Sequence, residues 1–176
     1  VRPPVEAARA AQPPDAPALA RLLAAARDDL RVDRAGKRCA SGVLARAASP
    51  GDLAALLDSP DHAVLVGTLD EQPVGFALLR LRRDGPPRTA VVEAIFVEPA
   101  ARELGVGEAL LEACVERARA AGCDSIDALA LPGSRSLKNL LERAHFRARL
   151  LVLERELADP SGSRRPSRAA RPEEGR

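Results

Sequence analysis

The sequence predicts an α/β (α+β) domain built on a mixed, mostly antiparallel sheet of six to seven strands flanked by about four helices. Two patterns carry that prediction. Three apolar runs, residues 63–69, 74–81 and 89–97, follow one another across short turn signals, as in an antiparallel meander. Beyond residue 100 the chain changes character, and helix-like and strand-like runs alternate. Length agrees: 176 residues, 46% of them hydrophobic, suit one ordinary domain with a sizeable core.

The elements follow in chain order. A short strand is expected around residues 5–10, and Pro13, Pro14 and Asp15 punctuate its end. Leu19, Leu22, Leu23, Ala26 and Leu30 recur at three- and four-residue spacing, one face of an amphipathic helix. Residues 31–42 (RVDRAGKRCASG) are basic and aperiodic and read as an exposed loop. Ser49, Pro50 and Asp52 ahead of Leu53, Leu56 and Leu57 mark a short capped helix. The three meander strands come next, separated by 70–73 and by 82–88 (RRDGPPR). Residues 105–121 then read as a helix with Val106, Ala109, Leu110, Ala113, Cys114 and Ala118 on one side, ended by Gly122. A strand over 124–131, a helix over 134–145 and a closing strand over 146–157 complete the domain, 1–157. The tail, 158–176, is rich in Arg, Pro and Ser with little to bury, so it is expected to be disordered.

Composition removes several functions. The chain has no Tyr, Trp or Met, and its three aromatics are Phe76, Phe96 and Phe146, so no base-stacking platform can form. His62 and His145 stand far apart without a second-ligand pattern, so no metal is expected. The net charge of +2 sits in the tail, leaving a neutral body with no field to attract nucleic acid. Cys39, Cys114 and Cys123 form no C-x-x-C pair and read as reduced thiols. Cys114 belongs to a core face. Cys39, in the basic loop, is an inert surface thiol or one activated by a neighbouring Arg. With no apolar run near the ~20 residues of a membrane span, a cytoplasmic protein is expected, a monomer or homodimer.

Residues 91–109, VVEAIFVEPAARELGVGEA, carry the chemistry. An apolar strand ends at Val97, Pro99 turns the chain, and Gly105 and Gly107 stand where a helix begins. Glycine lets backbone N–H groups approach a ligand without a Cβ in the way. The first turn of a helix leaves those N–H groups unpaired at the positive end of the helix dipole. Together they suit a phosphate or pyrophosphate, with Arg102 as an added cation. The Gly-Lys-Ser/Thr of a Walker loop and the third glycine of the dinucleotide fingerprint are both missing. On the glycines alone, a plain strand–turn–helix corner explains the run equally well.

The wider pattern separates the two. Arg102-Glu103-Leu104-Gly105-Val106-Gly107 resembles the Arg/Gln-x-x-Gly-x-Gly/Ala signature of the GNAT (Gcn5-related N-acetyltransferase) superfamily, with Val97-x-Pro99 as a similar run-in. The element order from roughly residue 4 to 157 resembles that fold as well. The resemblance implies an acetyl-CoA-dependent N-acetyltransferase without a metal. The acceptor would be an amine on a small molecule, protein or peptide, attacked directly in a ternary complex. It further implies that Arg102, Glu103, Leu104, Gly105, Val106, Gly107 and Glu108 hold the acetyl-CoA pyrophosphate. Ile95, Phe96 and Val97 would lie beside the pantetheine, in a slot where this strand splays from the next. Asn139 would be a further contact.

One departure matters. Many relatives carry a Tyr that protonates the leaving thiolate, within a run resembling Tyr-Glu-x-x-Gly-Phe. Here that run is Leu141-Glu142-Arg143-Ala144-His145-Phe146, with Leu141 at the Tyr position and His145 at the Gly position. A thiol of pKa about 8.5 is a tolerable leaving group without an acid. Ser134 and Ser136 are candidate substitutes, or simply caps and solvated groups. Glu93, the carboxylate inside an apolar strand, is the candidate general base or else an outward residue paired with an Arg. Asp127 is a weaker second. The missing Tyr also keeps open an acyl-CoA-binding module with little transfer activity.

Overall fold

A computed structural model describes residues 2–31, 50–82, 85–130 and 134–150. Ser49, Cys39 and the basic loop, and the tail therefore lie outside the described residues. The elements are β1 (Glu6–Ala10), α1 (Ala16–Arg31), α2 (Pro50–Asp58), β2 (His62–Leu69), β3 (Gln72–Arg82), β4 (Thr89–Val97), α3 (Val106–Ala120), β5 (Ser125–Ala128) and α4 (Arg135–Arg143). The strands form one sheet in the order β1-β2-β3-β4-β5. The first three pairings are antiparallel and β4 pairs β5 in parallel.

Among the described residues the mixed sheet and four helices follow the sequence pattern. The strand count does not: the described residues form five strands, not six or seven. Residues 146–150 of the expected closing strand are not in a strand, and the remainder of that run lies outside the described residues. Residues 147–150 are exposed, Leu150 by 85%. Apolar alternation makes a strand only when a neighbour accepts its hydrogen bonds and covers one face.

Two cores sandwich the sheet. On one side Leu19, Leu22, Leu23 and Ala26 of α1 and Leu53 of α2 pack on Val64, Val66, Phe76, Leu78 and Phe96. On the other, Val106, Leu110, Cys114 and Ala118 of α3 pack on Leu65, Ala77, Leu79, Leu81, Ala90 and Val92. The helical spacing of each set explains why these segments are helices, since each presents one apolar stripe to the sheet. Central β3 is covered on both faces, so its run from Gly75 to Leu79 is buried throughout instead of alternating. Gly67 permits the closest approach: a Cβ there would lie 2.7 Å from Val106 Cγ1.

Helices α3 and α4 end in the same way. After α3, Cys123 N donates to Ala118 O and Gly122 N to Arg119 O, with Gly122 at φ 72°. After α4, Phe146 N donates to Leu141 O and His145 N to Glu142 O, with His145 at φ 65°. Both are Schellman caps, whose left-handed position favours glycine. The second one is occupied by histidine.

Candidate acyl-CoA site

The site is assembled where β4 leaves β5. Parallel pairing runs from Thr89↔Ser125 to Val92↔Ala128, and a last bond joins Leu129 N to Val92 O at 3.4 Å. Strand β4 continues through Glu93, Ala94, Ile95, Phe96 and Val97, and on the β5 side this stretch has no ladder partner among the described residues. Among the described residues the two strands are thus unpaired beyond Val92 and Ala128. A bulge lies at the divergence: Leu78 pairs Ala94 and Leu79 pairs Val92, so Glu93 is the extra residue. Ala94 and Phe96 pack toward α1, while Ile95 and Val97 pack toward α3.

The chain turns through a short 3-10 segment, Pro99–Ala101, into α3. Gly105 is the residue preceding the helix, at φ 83° and ψ −11°, a conformation that suits glycine. The N–H groups of Glu103 through Glu108 find no hydrogen-bond acceptor among the described residues, and the first helical bond joins Ala109 N to Gly105 O at 3.0 Å. Such a cradle of free N–H groups at a helix N-terminus is the local geometry that suits an anion. Gly105 also meets the first strand: a Cβ there would lie 3.0 Å from Glu6 Cγ. Gly107 does something the sequence did not reveal. A Cβ on it would come 3.0 Å from Leu140 Cδ2, so the missing side chain makes room for α4 beside the first turn of α3.

The remaining predicted residues are placed as follows. Leu104 is 40% exposed at the mouth of the cradle. The Arg102 guanidinium turns toward α1: Nε donates to Val97 O at 3.0 Å, Nη2 to Asp29 Oδ2 at 2.8 Å, and Cζ lies 5.8 Å from the Phe96 ring centroid. Glu108 accepts from Arg143 Nη2 at 2.5 Å, which pins α4 to α3. Asn139 and Ser136 are exposed on α4. Ser134 is the N-terminal cap residue of α4 by backbone position, yet its side chain makes no capping bond. Leu141 is buried, 7% exposed.

Glu93 lies on the α1/α2 face with its side chain only 5% exposed. Arg80 Nε is 2.6 Å from its Oε1, and His62 Nε2 is 3.9 Å from its Oε2. Glu93 Oε2 and Arg80 Nε are buried without a hydrogen-bond partner. Asp127 of β5 pairs with Val91 and is exposed. The Arg partner that the sequence allowed for Glu93 is present as Arg80, though the Glu93 side chain is buried and not outward; the parts played by His62, Arg143, Leu140 and Glu6 were not read from the sequence. Their roles depend on sheet register and helix packing, for which a single sequence carries no signal.

Among the described residues no three His, Cys, Asp or Glu side chains group so as to hold a metal, and no helix is long and apolar enough to cross a membrane.

Comparison with known proteins gives a consistent result. The family model described as "Acetyltransferase (GNAT) family" matches residues 25–146. No curated protein matches the chain. Among solved structures, an aminoglycoside N-acetyltransferase, AAC(6')-Iy in complex with CoA, is similar over 89% of this chain and 98% of its own, at TM-score 0.68 and 18% identity. A ribosomal-protein-alanine N-acetyltransferase from Brucella melitensis biovar Abortus is similar over 86% and 99%, at TM-score 0.64 and 19% identity. A transcriptional regulator from Bacillus halodurans covers the same shares, at TM-score 0.65 and 19% identity. At such identities the likeness is one of fold.

Proposed function

The chain belongs to the acetyltransferase (GNAT) family, and from that premise we propose that it is an acetyl-CoA-dependent N-acetyltransferase acting on a primary amine. The observation that carries this reading is the cradle. A run of unpartnered N–H groups from Glu103 to Glu108 opens at the end of a strand that has parted from its neighbour. Such a run suits a diphosphate, and an open strand edge suits the amides of a pantetheine arm.

When bound, acetyl-CoA supplies an acyl group activated as a thioester. The chain's own groups do the rest. The Glu103–Glu108 amides hold the diphosphate, with Asn139 on α4 as a further contact. Ile95, Phe96 and Val97 line the slot, and a main-chain N–H of β4 polarises the thioester carbonyl. Orientation of the amine against that carbonyl supplies much of the rate. Glu93, at the point of divergence, takes the proton from the acceptor ammonium. Leu141 carries no acid, so the sulfur leaves without side-chain protonation from that position.

Calorimetry with acetyl-CoA tests the cradle. Gly105→Val puts a β-branched residue at φ 83° and should weaken binding at least tenfold while far-UV circular dichroism stays unchanged; no binding by the wild type sinks the reading. CoA release across a panel holding an aminoglycoside and an N-terminal alanine peptide then tests transfer, since neighbours of this fold are described as acting on such amines. Binding without release from any acceptor favours the acyl-CoA-binding module instead, a reading supported by the absence of Tyr.

A further inference from the structure

Resting on the reading of Glu93 as the base, we propose that His62 is a positioning residue for it and carries its proton to solvent. A buried carboxylate that accepts a proton once per turnover must hand it on. Glu93 is 5% exposed, and its Oε2 has no hydrogen-bond partner. That oxygen lies 3.9 Å from His62 Nε2, and the His62 side chain is 23% exposed. The other ring nitrogen, Nδ1, is 3.0 Å from Ser59 Oγ just after α2. A line therefore runs from the divergence of β4 and β5, across the sheet face, to the surface.

The bulge makes this line possible. It turns Glu93 onto the α1/α2 face, where Arg80 lies between β4 and β2 and pairs with His62 in register. Arg80 Nε stands 2.6 Å from Oε1, which engages that oxygen and leaves Oε2 on the side of His62. Imidazole is the side chain that ordinarily exchanges a proton near neutrality. Among the described residues, the charged groups placed against the ring are Glu93 from β4 and Arg80 from β3. Asp61 precedes it in β2's approach, Asp58 ends α2, and Asp127 of β5 shares the face through its pairing with Val91.

The protons balance. An N–H bond of the acceptor ammonium breaks, and its electron pair remains on nitrogen for attack on the thioester carbonyl. An O–H bond forms at Oε2, and that proton passes to the lone pair of Nε2. The imidazolium releases its Nδ1 proton past Ser59 to water, and exchange with water restores the Nδ1–H form. The resting ring must therefore carry its hydrogen on Nδ1, donated to Ser59 Oγ.

Two measurements test this. Nitrogen-15 NMR of the wild-type imidazoles is simple to assign because the chain has 2 histidines. The neutral His62 ring should be the Nδ1–H tautomer; an Nε2–H tautomer overturns the relay, with no variant or acceptor needed. The second uses the amine of the panel that gives the fastest CoA release. Glu93→Gln should lower kcat about 100-fold. His62→Gln should lower it about tenfold, with an unchanged KM for acetyl-CoA, and should abolish the neutral-range limb of the pH profile. Added imidazole should rescue His62→Ala. A slow Glu93→Gln beside an unaffected, or pH-independently slowed and unrescued, His62 variant overturns the relay and leaves the base standing. An unaffected Glu93→Gln removes both, and no CoA release from any amine removes the transferase reading itself.

Discussion

Replacing Asp15 with alanine removes three hydrogen bonds at once. Its carboxylate accepts from Arg9 Nη1 at 2.6 Å, Arg9 Nη2 at 2.8 Å and Gln12 N at 2.8 Å. Asp15 is buried at the entry to α1, while the Arg9 side chain is 44% exposed. The bidentate pair is half screened by water and contributes about 1 kcal/mol. The bond back to Gln12 N, at the start of the helical entry, contributes about 1 kcal/mol more. Arg9, being half exposed, regains water, so no full penalty for a stranded charge is added. The expected loss is about 2 kcal/mol, or about 4–8 °C in Tm for a chain of this size. The pH dependence has a definite sign. The Arg9 hydrogen bonds hold the Asp15 carboxyl below its ordinary value, so its contribution is complete above about pH 4 and is lost as pH falls through the lower folded value. Arg9 shifts upward, so its own loss lies at strongly alkaline pH. Urea denaturation of wild type, Asp15→Ala and Asp15→Asn at pH 7 and in acid checks both parts. A loss under about 0.5 kcal/mol at pH 7, or a wild-type advantage undiminished in strong acid, would refute the reasoning.

Four further outcomes follow from other parts of the fold. His145→Gly relieves a left-handed residue at φ 65° in the cap after α4 and should raise stability by about 1 kcal/mol in the same denaturation assay. The matching change in the other cap, Gly122→Ala at φ 72°, should lower it by about as much. Gly67→Ala places a methyl 2.7 Å from Val106 Cγ1 and 2.9 Å from Leu110 Cδ1 and should cost about 1–3 kcal/mol, seen as a lower urea midpoint. Burial pushes the Cys114 thiol up to about 12. Mass spectrometry after iodoacetamide at pH 8 should find Cys114 unmodified in the folded chain and alkylated in urea.

Local pattern made much of this fold readable. Strand β4 spans Thr89–Val97, as its apolar run indicated, because nine largely apolar residues bounded by turns are enough to specify a strand. Helices α1 and α3 present the stripes read from their leucines. The cradle was legible for the same reason: glycine at a strand-to-helix corner is a local signal. Long-range facts were not. Nothing near Glu93 in sequence announces a bulge, or that Arg80 and His62 will meet it across two strands. Arg102 looked available to an anion, yet Asp29 and the Val97 carbonyl engage its guanidinium. Gly107 was read for its backbone, whereas its packing partner is Leu140 of a later helix. Of the expected closing strand, residues 146–150 are outside any strand, and an apolar run does not say whether a neighbour is there to pair.

The contact between Glu6 and Gly105 makes the signature loop a joint between the first strand and the third helix. The cradle is therefore a tertiary object: a peptide bearing residues 97–121 would hold the motif and lack one wall of its site. The same contact sets a carboxylate on the rim of a pocket suited to anions. An anion bound at the loop would meet that charge as well as the amides.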